Sequence, residues 1–249
     1  MFLEVKNLSK TYTDKKFFGE NKFNALDGVD FSMKDGESLS VIGGSGSGKT
    51  TFGRIISKLL DFDGGSVKYY GKDIKSYNIT EFSGIVQMIF QNPYASLNPK
   101  LKIRSSLLEA FGAGAPSNAE DIIEKTLESA GLEKKILDNF PHQFSGGQRQ
   151  RIAVARALIK KPKLIVADEP FASLDVYSQN NITEIFKSVR KNTGVSIILI
   201  THDIAAAIKF ADRMIIMNEG KIIKDDSSEN VFKEKENAYI TDLLAAMEI

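Results

Sequence analysis

The 249-residue sequence predicts an α/β fold built on a parallel sheet, and three observations carry that expectation. Apolar strand-like runs alternate with runs of helical spacing, as in α/β architectures. One strand-like run ends in the string GGSGSGKT at residues 43–50, which then opens a helical pattern. Another, LIVADEP at residues 164–170, delivers two adjacent acids at its C-terminal end, where ligands bind in open α/β sheets. Hydrophobic residues make up 42% of the chain, enough for a sizeable core. The length suits one large domain, or one domain with a subdomain.

Along the chain, residues 2–5 and 30–33 read as short strands. The polar KKFFGENKFN between them reads as a hairpin or loop. Residues 38–42 form an apolar run ending in Gly43, a buried strand entering a tight turn. From Lys49, the residues Phe52, Ile55, Ile56, Leu59 and Leu60 keep helical spacing. DFDGGSVKYYGKDI, with turn residues between β-prone runs, predicts a hairpin. Three helices then follow, on Leu107, Leu108 and Phe111, on Ile123, Leu127 and Ala130, and on Ile152, Ala155, Leu158 and Ile159. They suggest a helical subdomain inserted in the α/β chain. Strand signals return at residues 164–167 and 196–201, with a helix between them on Ile182, Ile185, Phe186 and Val189. Residues 214–217, the turn NEGK and residues 222–223 predict a hairpin, and Ile240, Leu243, Leu244 and Met247 a last helix.

Composition excludes several classes. The net charge of +1 argues against a dedicated nucleic-acid binder, which carries a large basic excess. The absence of cysteine excludes disulfides and thiolate metal sites, and fits a cytoplasmic protein without requiring one. The opening MFLEVKNLSK has no apolar core of a secretory signal. Apolar runs such as 197–200 fall far short of the roughly 18 residues of a membrane helix, so any membrane role is expected to be peripheral.

The string at 43–50 fits G-x-x-x-x-G-K-[ST] in the strand–turn–helix context that confirms it. Glycines let the backbone curl so that several N–H groups face one phosphate chain, and the helix N-terminus adds positive potential there. Lys49 would neutralise the β- and γ-phosphates, and Thr50 would offer its hydroxyl oxygen to Mg²⁺. By itself the motif implies only a nucleoside triphosphate. Asp168, at the end of its strand, is placed to hold Mg²⁺ through water, and Glu169 to polarise an attacking water. Ser145–Gln148 reads SGGQ before a helical run. That is either a second anion site at a helix start or a glycine-rich cap without a ligand.

In this order the motifs resemble those of the ATP-binding cassette ATPases, over almost the whole length. The resemblance implies an ABC-type P-loop NTPase: a RecA-like core, an antiparallel β subdomain and an inserted helical subdomain. Residues 1–249 would form one domain, with the helical subdomain at approximately 92–160. Tyr12 sits where the family stacks an aromatic on adenine. Gly43, Gly44, Ser45, Gly46, Ser47, Gly48, Lys49, Thr50 and Thr51 would complete the nucleotide site. Gln91 falls at the family's Q-loop glutamine, coordinating Mg²⁺ with Thr50 and Asp168. Ser145, Gly146, Gly147 and Gln148 match the signature motif, with Phe144 where leucine is usual. Asp175 matches the D-loop acid that pairs across a dimer, and His202 the switch histidine. Catalysis would rest on Glu169, His202, Lys49 and Gln91, while His142 serves subdomain structure. Each ATP would lie between one chain's phosphate loop and its partner's signature.

FQNPYASLNP at residues 90–99 and PHQFSGGQRQR at 141–151 resemble the peptide/nickel importer branch. Tyr94 and Leu97 are expected to point outward and to dock a coupling helix, with packing inside the helical subdomain as the alternative. Gly44 replaces an acid frequent in that branch, and Ser173 an alanine. Longer members carry a C-terminal iron–sulfur extension, so this chain resembles the shorter of two ATPases. The resemblance implies an importer of oligopeptides, or of nickel or other metals as chelates. It implies partnership with a second homologous ATPase subunit, as heterodimer or homodimer. Two membrane permease subunits and an extracytoplasmic solute-binding protein would complete the assembly, with no nucleic acid. The location implied is peripheral, at the cytoplasmic face of the membrane. The alternative is a non-transport cassette ATPase of DNA repair or translation, but the tandem cassettes, coiled-coil insertions or basic arms of that class are absent from this sequence.

Overall fold

The computed structural model describes the chain except residues 17–18, 93–96, 113, 173, 232–238, 240 and 242–249, and leaves out the side chains of 14–21. In chain order the elements are β1 (Leu3–Lys16), β2 (Gly19–Met33), β3 (Ser38–Ile42), α1 (Lys49–Ile56), β4 (Gly64–Tyr69), β5 (Lys72–Asp73), α2 (Ile79–Ser83), β6 (Val86–Ile89), α3 (Ile103–Leu108), α4 (Ala119–Ser129), α5 (Gly146–Leu158), β7 (Leu164–Asp168), α6 (Val176–Thr193), β8 (Ser196–Ile200), α7 (Ile204–Phe210), β9 (Arg213–Asn218), β10 (Lys221–Ser227) and α8 (Ser228–Val231). Two compact units emerge, residues 1–78 with 198–249, and residues 79–197. The division falls inside β8.

The first unit carries a four-stranded antiparallel sheet in the order β2-β1-β4-β5. β1 and β2 pair from Leu3↔Met33 to Lys16↔Gly19, with register shifts between Val5 and Thr11. The two short strands expected from the sequence are therefore the base of one long ribbon, and of the two readings of the polar stretch between them the hairpin holds. The outer ribbon is exposed at Tyr12, Thr13, Lys22, Phe23 and Asn24. A ribbon wet on both faces has no apolar/polar alternation to betray it. β4 and β5 form the predicted hairpin.

In the same unit β3 runs parallel to β9, from Leu39↔Arg213 to Ile42↔Ile216, and β9 turns back antiparallel into β10. Every residue of β3 is buried, so Leu39, Val41 and Ile42 are joined there only by the small side chains of Ser38 and Ser40. Arg213 binds this unit together. It donates to both Asp225 carboxylate oxygens (2.7 and 2.6 Å), to Glu37 (3.0 Å) and to the Ser32 carbonyl (2.9 Å), and lies over the Phe31 ring. α1 stops at Ile56, before Leu59 and Leu60. Lys58 takes the left-handed conformation (φ 57°) and donates its ammonium to the carbonyls of Ile74 and Tyr77, so the helical period ends in a turn.

The second unit pairs β6 with β7 in parallel, from Val86↔Leu164 to Ile89↔Ala167. α3, α4 and α5 share a core that includes Ile103, Leu107, Ile123, Leu127, Ile152 and Ala155. Leu97 belongs to that core and is 2% exposed. This corrects the expectation that it points outward: an isolated leucine in a turn-rich loop gains more from burial than from solvent. Tyr94 lies outside the described residues, as do Ser173 and the helix expected on Ile240, Leu243, Leu244 and Met247. Among the described residues no helix is long and apolar enough to cross a membrane.

Candidate functional site

β3 delivers Gly43 into the loop. Its φ is 152°, and a Cβ there would sit 2.2 Å from the Met217 carbonyl oxygen. Gly48, at φ 102°, would put a Cβ 2.3 Å from the Ala25 carbonyl oxygen. Neither position accepts a side chain, so the loop can follow its course only with glycine there. Gly48 is also the N-cap of α1 and brings no capping side chain, and the first turn holds no acid. Those are the terms on which a helix N-terminus attracts an anion. Lys49 is 7% exposed and folds back over the loop, donating to the carbonyls of Gly43 and Gly44 (2.8 Å each) and to Ser47 Oγ (3.3 Å).

The loop is fixed from outside as well. Gly220, in the β9–β10 turn, donates to the Ser47 carbonyl (3.1 Å), and Asp27 of β2 donates to the Gly220 carbonyl (3.0 Å). The Gly44 N–H donates to the Tyr239 hydroxyl oxygen at 2.7 Å. Sequence reasoning missed these braces, because their members lie far apart in the chain.

Residues 46–51 share one open pocket with Tyr12, Phe23 and Ala25 of the β1–β2 ribbon. The strand leading to Tyr12 is held by Asp63, whose carboxylate accepts the Thr11 N–H (2.7 Å) and the Lys10 ammonium (3.0 Å). The Thr11 N–H, and then Lys10, hold Asp63 below the usual carboxylate range. The Lys10 ammonium also lies 5.9 Å from the Tyr12 ring centre. The structure thus brings Tyr12 together with Lys49, Thr50 and Thr51 in one pocket, and adds Phe23, which the sequence did not single out. Its signal was its place opposite Tyr12, visible only once the ribbon is known.

His202 is exposed, just past β8. The preceding Thr201 donates its N–H to the Val41 carbonyl (3.1 Å), beside the strand that runs into the loop. Asp203 caps α7 by accepting the Ala206 N–H (2.9 Å).

In the second unit, the parallel register of β6 and β7 carries Gln91 and the pair Asp168–Glu169 out at the same end of the two strands. Asp168 is 5% exposed, while Glu169 takes φ 48°. A non-glycine residue there costs about 1–3 kcal/mol, and such outliers gather at functional sites. Ser145 caps α5, accepting the Gln148 N–H (3.3 Å) while Gln148 Oε1 accepts the Ser145 N–H (3.0 Å). A Cβ on Gly146 would lie 3.3 Å from Leu174 Cδ2, and one on Gly147 3.1 Å from Ser178 Oγ. These glycines let the start of α5 approach the segment that leads into α6. Asp175 caps α6, accepting the Ser178 N–H and hydroxyl (2.8 Å each), which hold it below the usual carboxylate range. His142 stacks on Phe140 (5.7 Å, 14°).

Comparisons with known proteins agree with this architecture. The sequence pattern of the ABC transporter family matches residues 26–172. The oligopeptide transport ATP-binding protein OppF of Streptococcus mutans is 37% identical over 98% of the chain and 81% of its own length. The dipeptide transport ATP-binding protein DppF of Lactococcus lactis is 36% identical over 98% of the chain and 80% of its own length. Among solved structures, the dimeric post-hydrolysis state of the ATP-binding cassette MJ0796, bound to ADP and Pi, superposes with a TM-score of 0.78. That chain is 31% identical, with coverage of 91% of this chain and 98% of its own.

Proposed function

The chain belongs to the ABC transporter family and hydrolyses ATP, and from that premise we propose that it energises a membrane importer of oligopeptides or dipeptides. The observation that carries the substrate class is similarity, over 98% of the chain, to ATP-binding proteins of oligopeptide and dipeptide transport. Those relatives also favour transport over a role in DNA repair or translation.

The proposed division of labour follows the chemistry of each residue. The loop N–H groups and Lys49 bind the phosphates, and Tyr12 receives the adenine. A water oxygen bonds to the γ-phosphorus as the bond to the bridging oxygen breaks, releasing ADP and phosphate. Glu169 takes the proton from that water, and His202 and Gln91 steady the phosphate and the water. Ser145–Gln148 serves the nucleotide held by a partner subunit, and Asp175 meets that partner while capping α6.

Mg²⁺ is tested by the donor set. Among the described residues no group of three or more acids or histidines could hold a metal ion. The candidates are instead single oxygens: the buried Asp168 carboxylate, the Thr50 hydroxyl and Gln91. That suits Mg²⁺, which needs only one or two carboxylates and completes its shell with other oxygens from substrate phosphates and water. Bound there, the ion would neutralise developing phosphate charge.

The assembly proposed is two such ATPase subunits, paired as a heterodimer of related chains or as a homodimer, on two permease subunits at the cytoplasmic face, fed by an extracytoplasmic solute-binding protein. Residues 1–249 act in it as one ATPase domain, with the helical subdomain at approximately 92–160 facing the permeases. Gene deletion in the host tests the cargo. Uptake of a labelled oligopeptide and dipeptide is measured beside cellular nickel, cobalt and zinc. Peptide uptake is expected to fall, to return with the wild-type gene and not with Lys49→Ala, and the metals to stay level. Loss of metal alone would replace peptide by metal import, and no change in either would overturn the importer assignment.

A further inference from the structure

We propose that Phe23 is a second base-binding residue, forming with Tyr12 a two-ring platform for the nucleotide base. This inference rests on the phosphate-loop reading above and deepens it.

Tyr12 and Phe23 are direct partners across the β1–β2 ribbon. Residues opposite one another in an antiparallel pair send their side chains out on the same face, with Cβ atoms about 4.5–5.5 Å apart. Both rings line the pocket that holds Lys49, Thr50 and Thr51. Ala25 lines it too, with only a methyl group. Tyr12 is 41% exposed and Phe23 54% exposed. Two large rings left in water side by side forgo the burial that stabilises a fold, and a ligand that covers them recovers it. No acid is among the described residues that line the pocket. An apolar, π-faced wall beside an anion cradle suits a flat ring joined to phosphates. Phe23 offers no donor or acceptor, so its contact is with the face of the base and does not read the edge. Every base presents such a face.

The test uses the purified chain with Mg²⁺ and measures equilibrium binding of ATP and of inorganic tripolyphosphate, which has the phosphates and no base. Wild type, Phe23→Ala, Phe23→Tyr and Lys49→Ala are compared. Phe23→Ala is expected to weaken ATP about tenfold, at the low end of what one stacked ring contributes, and to leave tripolyphosphate within about twofold. Phe23→Tyr keeps a ring and should bind ATP as wild type does. Lys49→Ala should weaken both ligands. ATP binding by Phe23→Ala at the wild-type level, beside a weakened Lys49→Ala, would overturn the platform and leave the phosphate loop standing. Equal losses of ATP and tripolyphosphate in Phe23→Ala would also overturn it, as a disturbed loop. Unchanged binding in Lys49→Ala would overturn the phosphate-loop reading itself, and the platform with it.

Discussion

At the scale of single residues, Asp63 shows how a surface group reaches the site without entering it. Its carboxylate accepts the Thr11 N–H and the Lys10 ammonium, and so fixes the strand that presents Tyr12. A carboxylate held below its usual value contributes stability that is whole above the unfolded value of about 3.9 and lost as pH falls through the folded value. The side chain is 49% exposed, so solvent limits the contribution to at most about 1 kcal/mol. Asp63→Asn is therefore expected to lower the melting temperature by no more than about 4 °C near neutral pH. That difference should begin to shrink below about pH 4, the unfolded value, and close as pH falls further through the lower folded value, where the wild-type carboxylate also becomes neutral. Thermal melts of both proteins across pH check it. None of this was legible beforehand, because Asp63 and Thr11 are 52 residues apart. The loop at 43–50 was legible because its chemistry needs its residue types side by side. Gly43 and Gly48 are glycine because a Cβ would run into backbone carbonyls.

At the scale of elements, legibility followed burial. β3 and β8 are buried at every position and stand out as apolar runs. α4, α5 and α6 show their buried stripes at helical spacing. The length of the β1–β2 ribbon was not read because the outer residues Tyr12, Thr13, Lys22, Phe23 and Asn24 are exposed and leave no apolar stripe. β6 escaped notice because its four residues are only half buried and short. Leu97 was misjudged for a related reason: one apolar residue among turn residues has no period to say which way it faces. Its burial gives a sharp prediction. Leu97→Ala should cost about 2–4 kcal/mol, the price of a cavity in a packed core. An outward-facing leucine would cost less than about 0.5 kcal/mol. Chemical denaturation of the two proteins distinguishes these values.

At the scale of the whole molecule, order along the chain said more than any one motif. A glycine-rich loop alone implies a phosphate, and SGGQ alone implies no more than a capped helix. SGGQ does cap α5 here, through the reciprocal bonds of Ser145 and Gln148, and Asp175 caps α6 in the same way. A residue that starts a helix can still face a partner, so capping is compatible with the partner-facing roles proposed for these positions. The cargo was not legible, since no residue of an ATPase subunit need touch it, and the relatives supply that part of the account. The central claim is that the chain splits ATP with Glu169 as the base. The most direct measurement is phosphate release under saturating Mg·ATP, over a range of chain concentrations, for wild type and Glu169→Gln. Turnover per chain should rise with concentration in the wild type, because each nucleotide needs two subunits. It should fall at least about 100-fold in Glu169→Gln, with ATP affinity kept within about threefold. Turnover in Glu169→Gln close to that of the wild type would contradict the account.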